Sequence, residues 1–373
     1  MRTTQHNKRG LKPATTSSEH VVAGFSPRFF RVFVSLCLCG CLLLLRRGLV
    51  VVFLALKILG YPAALDAWRG AISHQTVSYA GIPVDVYGST QSDSPILIVH
   101  GVNPTGKNSL DLVRISEGLA QAGYAVYVPD FAEMKKVHLR PEEAVNIKTV
   151  FQSIGREAGI ACFSYGCGPA LVAAADPDIR DRVRFAVAFG GYFDIREALE
   201  HVITGPESPI TYLKWVYLAA NSDLIPGEND QRRLRMFAEA RGGSTENLSP
   251  DARSLLQVFS ASNADDFRAR LRAVPESVRR RLDALSPSKY IKGLRAPLIL
   301  IHGINDPAIP AQQAIELAAA ARANGLACSL TLLRMYGHVQ PILPDLGATS
   351  FVAFYVPETL RFLSVLNEVV AIQ

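Results

Sequence analysis

Residues 159–175 constrain the fold more than any other stretch of this 373-residue chain. A short apolar run, 159–163, ends on Ser164. Small residues follow at Gly166 and Gly168, and an alanine-rich apolar run closes the segment. That order reads as a buried strand, a very sharp turn and a buried helix, with one serine at the apex. Such a turn forces the serine into a strained backbone conformation and exposes its hydroxyl. It also aims the following N–H groups at whatever the hydroxyl meets.

Around this segment strand-like and helix-like runs alternate. Residues 76–79 and 83–87 flank Ala80-Gly81-Ile82 and predict an antiparallel hairpin. Buried strands are expected at 95–100, 124–128, 159–163, 184–189, 297–302 and 328–335, and helices at 110–122, 141–154, 311–323 and 349–366. Between 196 and 292 helical segments follow one another with no buried strand among them. The pattern predicts one α/β domain over 73–373, with a mostly parallel sheet, helices on both faces and a helical cap at about 196–292. A hydrophobic content of 49% is ample for its core.

The formal charge of +6 is unevenly spread. Residues 1–47 hold eight Lys and Arg against Glu19 alone, a net of +7, which leaves the rest of the chain at −1. A neutral body under a basic, apolar head points to a membrane rather than to nucleic acid. Residues 1–28 are polar and read as a disordered tail. Two apolar runs follow, 29–45 (broken by Arg31) and 48–65 (containing Lys57), separated by Arg46 and Arg47. Neither reaches the ~20 uninterrupted apolar residues of a comfortable membrane span. The second nevertheless has the form of a signal anchor, so residues 29–67 are expected to tether the protein with its body on the extracytoplasmic side. A hairpin anchor with a cytoplasmic body, or an exported protein, are the alternatives. Cys37, Cys39 and Cys41 fall in the first run, Cys162 and Cys167 flank Ser164, and Cys328 is alone; no spacing suggests a structural disulfide or a zinc site.

Three elements give Ser164 partners. The strand at 297–302 runs into Gly303-Ile304-Asn305-Asp306, which places a carboxylate just past a strand end, with Pro307 and Pro310 stiffening the loop. The strand at 328–335 is followed by Tyr336-Gly337-His338. The strand at 95–100 ends in His100-Gly101-Val102-Asn103, a turn able to present a backbone N–H. Open α/β sheets hold their chemistry in the crevice at these strand ends. A serine hydroxyl is a poor nucleophile unless an imidazole takes its proton, and the imidazole needs a buried carboxylate to fix its tautomer. An oxyanion needs two N–H donors, each worth ~3 kcal/mol of barrier. Ser164, His338 and Asp306 fill the first three roles, and the N–H groups of Val102 and Tyr165 are the expected donors. Taken singly, Ser164 is an ordinary helix cap and His338 a loop histidine; their spacing with Asp306 is what raises them. Asp345 is a rival carboxylate. His100 and His302 read as structural residues near the site, and Asp130 as a carboxylate that orders its loop. His100 and Asn103 are pocket candidates, as are Tyr212 and Trp215 in the cap, although a plain helix–helix contact explains that aromatic pair about as well.

The order Ser164, Asp306, His338, with the His100-Gly101 turn upstream, resembles the α/β-hydrolase superfamily over roughly residues 75–370. The text is most similar to its dienelactone-hydrolase-like and esterase/lipase branches. One departure is Cys162, where the usual Gly-x-Ser-x-Gly has its first glycine. The resemblance implies a serine hydrolase that cleaves a small-molecule ester or other hydrophobic acyl substrate, without cofactor or metal. A thioester, lactone, amide or C–C bond would use the same machinery. A membrane-tethered binding protein of the same fold is the non-enzymatic alternative. No glycine-rich phosphate loop supports a nucleotide site.

Overall fold

The computed structural model describes residues 47–59, 72–205, 212–342 and 348–372. The polar tail at 1–28, the first apolar run at 29–45 and Asp345 lie outside these residues.

Among the described residues eight strands form one sheet in the order β1-β2-β4-β3-β5-β6-β7-β8. The hairpin of β1 (His74–Tyr79) and β2 (Ile82–Tyr87) closes through Ala80 and Gly81, both at positive φ, and β2 pairs antiparallel with β4 (Ala125–Pro129). β3 (Pro95–Val99), β5 (Ala158–Phe163), β6 (Val183–Phe189), β7 (Leu298–Gly303) and β8 (Cys328–Leu333) continue the sheet in parallel. The chain winds outward from β3 to β4, then returns to the other side of β3 with β5. The ends of β3 and β5 therefore flank the point where the winding reverses, where an open sheet leaves a crevice.

Side chains alternate across this sheet and build two cores. Leu97, Val99, Ile160, Ala186 and Leu300 face one side, under helices Glu142–Ile154 and Cys167–Ala174. The helices between β6 and β7 extend that core: Ile195–Thr204, Leu213–Ala220, Glu228–Ala240, Pro250–Phe259, Ala264–Ala273 and Glu276–Ala284. The first of these, capped by the Asp194 side chain accepting from the Arg196 N–H at 2.9 Å, begins where the sequence shows only the end of the β/α rhythm.

Ile96, Ile98, Ala161, Val187 and Ile301 face the other side. Three helices cover them: α1 (Arg47–Ile58), α2 (Leu110–Gln121) and α3 (Ala348–Ala371). The described part of the second apolar run lies against protein on this face. Arg47 and residues 48–58 of the second apolar run form a 12-residue helix whose Leu54 and Ala55 are completely buried against the sheet, α2 and α3. Lys57, which would be costly in lipid, is 1% exposed; its ammonium lies 2.8 Å from Glu117 and donates to the Gln121 side chain at 3.1 Å, both on α2. The two helices touch closely because α2 carries Gly118, where a Cβ would stand 2.6 Å from Leu54. At 12 residues the helix falls short of the ~20 that span a bilayer. No helix among the described residues is long and apolar enough to cross a membrane.

Candidate active site

β5 ends at Phe163 in extended conformation, and Ser164 then turns to φ +53°, a left-handed value that costs a residue with a side chain about 1–3 kcal/mol. A single tight turn, Ser164–Gly166, leads directly into helix Cys167–Ala174. Gly166 makes the turn possible: a Cβ there would stand 2.2 Å from the His100 carbonyl at the end of β3. Cys162, in the place of the usual glycine, is buried with its thiol donating to the Val187 carbonyl at 3.3 Å, so the substitution is absorbed inside the sheet.

The structure brings the three expected side chains together. The Ser164 hydroxyl lies 2.6 Å from His338 Nε2, and His338 Nδ1 lies 2.7 Å from Asp306 Oδ2. Asp306 follows β7, and its Oδ1 accepts from the N–H groups of Ala308 (2.8 Å) and Ile309 (2.9 Å). A second imidazole stands behind it. His302 is fully buried, donates through Nε2 to the Ile309 carbonyl at 2.9 Å and approaches Asp306 Oδ2 at 3.3 Å. Burial pushes the Asp306 carboxyl up, but the hydrogen bonds from His302, His338 and the Ile309 backbone outweigh it and hold its pKa at about 2. This role of His302 is missing from the sequence reading. Its signal there is only its place four residues before Asp306.

His100 is also structural. Its Nδ1–H donates to the Gly101 carbonyl at 2.7 Å and its Nε2 accepts from the Phe131 N–H at 3.1 Å, which ties the loop after β3 to the loop after β4. Burial lowers its pKa and keeps the ring neutral. Asp130 orders the same region: it pairs with Lys135 at 2.8 Å, while Lys107 pairs with the buried Asp85 at 2.6 Å. Among the described residues neither the Val102 N–H nor the Tyr165 N–H has a protein acceptor. The Tyr165 side chain points away from Ser164, its hydroxyl accepting from the Arg140 N–H at 3.2 Å.

A cavity of about 280 Å³ opens over Ser164 and His338. His100 and Asn103, both pocket candidates, line it together with Val102. Asn103 does so with its side-chain oxygen engaged by Thr105. Tyr212 and Trp215 are not among its lining residues. Tyr212 is 48% exposed, and Trp215 packs on Phe237 of the next helix with ring centroids 6.0 Å apart. In their place the cavity is lined by α2, through Leu112 and Ile115, and by Phe163 and Gln340.

Strand order, the antiparallel first strands, the serine turn after β5 and the positions of Asp306 and His338 after β7 and β8 define the α/β-hydrolase fold. No protein-family model and no curated protein sequence matches the chain. Solved structures similar to it include a puromycin-hydrolyzing peptidase of Mycobacterium tuberculosis, with a TM-score of 0.47 and 14% identity over 81% of this chain and 39% of that one. Others are an esterase/lipase from an uncultured bacterium (TM-score 0.44, 15% identity, 93% and 98% covered) and an esterase of Pyrococcus furiosus (0.45, 13%, 82% and 93%). The chain thus spans about two fifths of the length of the peptidase.

Proposed function

We propose that this chain is a serine hydrolase that cleaves a carboxylic ester through an acyl-enzyme. The observation that carries the reading is the continuous hydrogen-bonded chain from Ser164 through His338 to Asp306, at 2.6 and 2.7 Å, with Ser164 held at φ +53°. In the first half-reaction Ser164 Oγ bonds to the ester carbonyl carbon while its proton passes to His338 Nε2. The negative oxygen is held by the N–H groups of Val102 and Tyr165. The carbon–oxygen bond to the alcohol then breaks, and the alcohol leaves with the proton from His338. Water repeats the sequence on the acyl-enzyme, giving its proton to His338 and releasing the carboxylic acid and free Ser164. Asp306 holds the ring and balances the imidazolium without taking the proton.

The test is labelling with a serine-directed fluorophosphonate, followed by an ester panel. The unmodified chain is expected to take the label and Ser164→Ala to lose it. Label that persists in Ser164→Ala overturns the assignment of the nucleophile. Thioester, lactone and amide substrates belong in the same panel, since each presents a carbonyl to the same serine.

A further inference from the structure

We infer that the acyl chain of the substrate passes between Ile115 and Phe163 into a second cavity behind Ser164, whose outer wall is α1. This rests on the ester-hydrolase reading above and names the substrate class that the site takes.

The second cavity, of about 70 Å³, lies in the layer between the sheet and helices α1, α2 and α3. Its lining is apolar throughout, Cys162 included. Leu54 and Ile58 come from α1, Leu119 from α2 and Phe362 from α3. Ile115 and Phe163 line both this cavity and the larger one that holds Ser164 and His338. They therefore form the partition between the two, and neither is fully buried. Protein interiors are normally close-packed, and a dry apolar hole leaves its lining atoms without partners on one side. Apolar holes of about 150 Å³ accept a molecule as large as benzene; one of about half that volume has room for a few methylenes at the end of an unbranched chain.

Chemistry fixes which end of an ester goes where. The leaving oxygen must collect its proton from His338, which lies beside Gln340 on a rim that also carries Asn103, Ser109 and Asp111. The acyl side is then the side of Phe163, the residue before the nucleophile. A polar alcohol at the rim and an unbranched aliphatic acyl group in the inner cavity satisfy both surfaces. Branched or aromatic acyl groups would have to spread the partition. The wall is fixed in place, because the Lys57–Glu117 pair at 2.8 Å pins α1 onto α2 and Leu54 is fully buried at their contact.

The experiment measures kcat/KM of the full chain on p-nitrophenyl esters with straight acyl groups from acetate to dodecanoate. An optimum at intermediate length is expected, at least about tenfold above acetate. Leu54→Trp, which fills the inner cavity, should lower the octanoate-to-acetate ratio at least about tenfold, and Ile115→Ala should move the optimum to longer chains. A folded Leu54→Trp whose ratio stays within about twofold of the unmodified chain overturns the inference. Should that variant fail to fold, alkyl fluorophosphonates of graded length on the unmodified chain give the same reading. Labelling that quickens with straight-chain length supports the acyl route, and a flat rate overturns it. A flat profile with Ser164 still labelled sinks only the acyl route, whereas no label and no ester turnover sinks the hydrolase reading itself.

Discussion

Lys57 on α1 and Glu117 on α2 form an ion pair 2.8 Å long in which the lysine is almost completely buried and the glutamate is 37% exposed. The asymmetry makes the two halves unequal on deletion. Glu117→Ala removes the counter-charge of a buried ammonium that also donates to the Gln121 side chain, and should destabilise the fold by about 2–3 kcal/mol. Lys57→Met removes the buried charge while keeping the length of the side chain, and should fall within about 1 kcal/mol of the unmodified chain. Urea unfolding of both variants compares them directly; equal losses would show that the pair acts through something other than the buried charge.

Ser164 is held where a side chain is disfavoured, so stability and chemistry oppose each other there. Ser164→Gly and Ser164→Ala both delete the hydroxyl and should both fail to label. The glycine variant should nevertheless be more stable than the alanine variant by about 1 kcal/mol, because only glycine adopts φ +53° without penalty. Thermal melts of the pair isolate the backbone cost from the loss of the hydroxyl.

Asp306 has a folded pKa of about 2, below the ~3.9 of an unfolded aspartate. A lowered pKa of this kind adds stability that is fully present above about pH 4 and is lost as pH falls towards 2. The stability gap between the unmodified chain and Asp306→Asn should therefore shrink over that window, by about 2 kcal/mol. At neutral pH the same variant should lose about 10⁴-fold in kcat, because the amide cannot hold the His338 tautomer that accepts the serine proton. Denaturant titrations at several pH values check the first half and ester kinetics the second.

His100 sits beside Ser164 but both of its ring nitrogens are already committed to backbone groups. His100→Leu should cost about 1–3 kcal/mol by leaving the buried Phe131 N–H without an acceptor. It should also lower kcat, since Gly101 and Val102 lose their tether. The shape of the pH–rate profile should not change. A missing limb in the variant would make His100 an acid or base after all.

Much of this was legible in the sequence because the signals were local. Each core strand is an apolar run that ends in a glycine or a polar turn, and Ser164, Asp306 and His338 each follow such a run within a few residues. The partner of residues 48–58 was harder to read, for the opposite reason. Hydropathy registers that a run seeks an apolar partner, but not whether the partner is lipid or protein. Glu117 and Gln121, the partners of Lys57, lie some sixty positions away on α2. Trp215 posed the same ambiguity: helical spacing predicts a covered face, and Phe237 rather than a substrate covers it. His302 was read as structural, but not as a partner of Asp306, because a histidine inside a strand carries no mark of what lies behind it.

The face of the sheet under α1, α2 and α3 has a consequence for how the protein is made. Its closure joins distant parts of the chain: the Tyr124 hydroxyl donates to the Val369 carbonyl at 2.7 Å across 245 positions. During synthesis α1 emerges long before α3, so the isoleucines and valines of the central strands stay half covered until residues 348–371 have left the ribosome. Long-range closure of this kind is slow and leaves apolar surface open to aggregation. Nascent chains stalled before residue 348 should therefore be bound by chaperones and sensitive to protease, and gain protection only on release of the last helix.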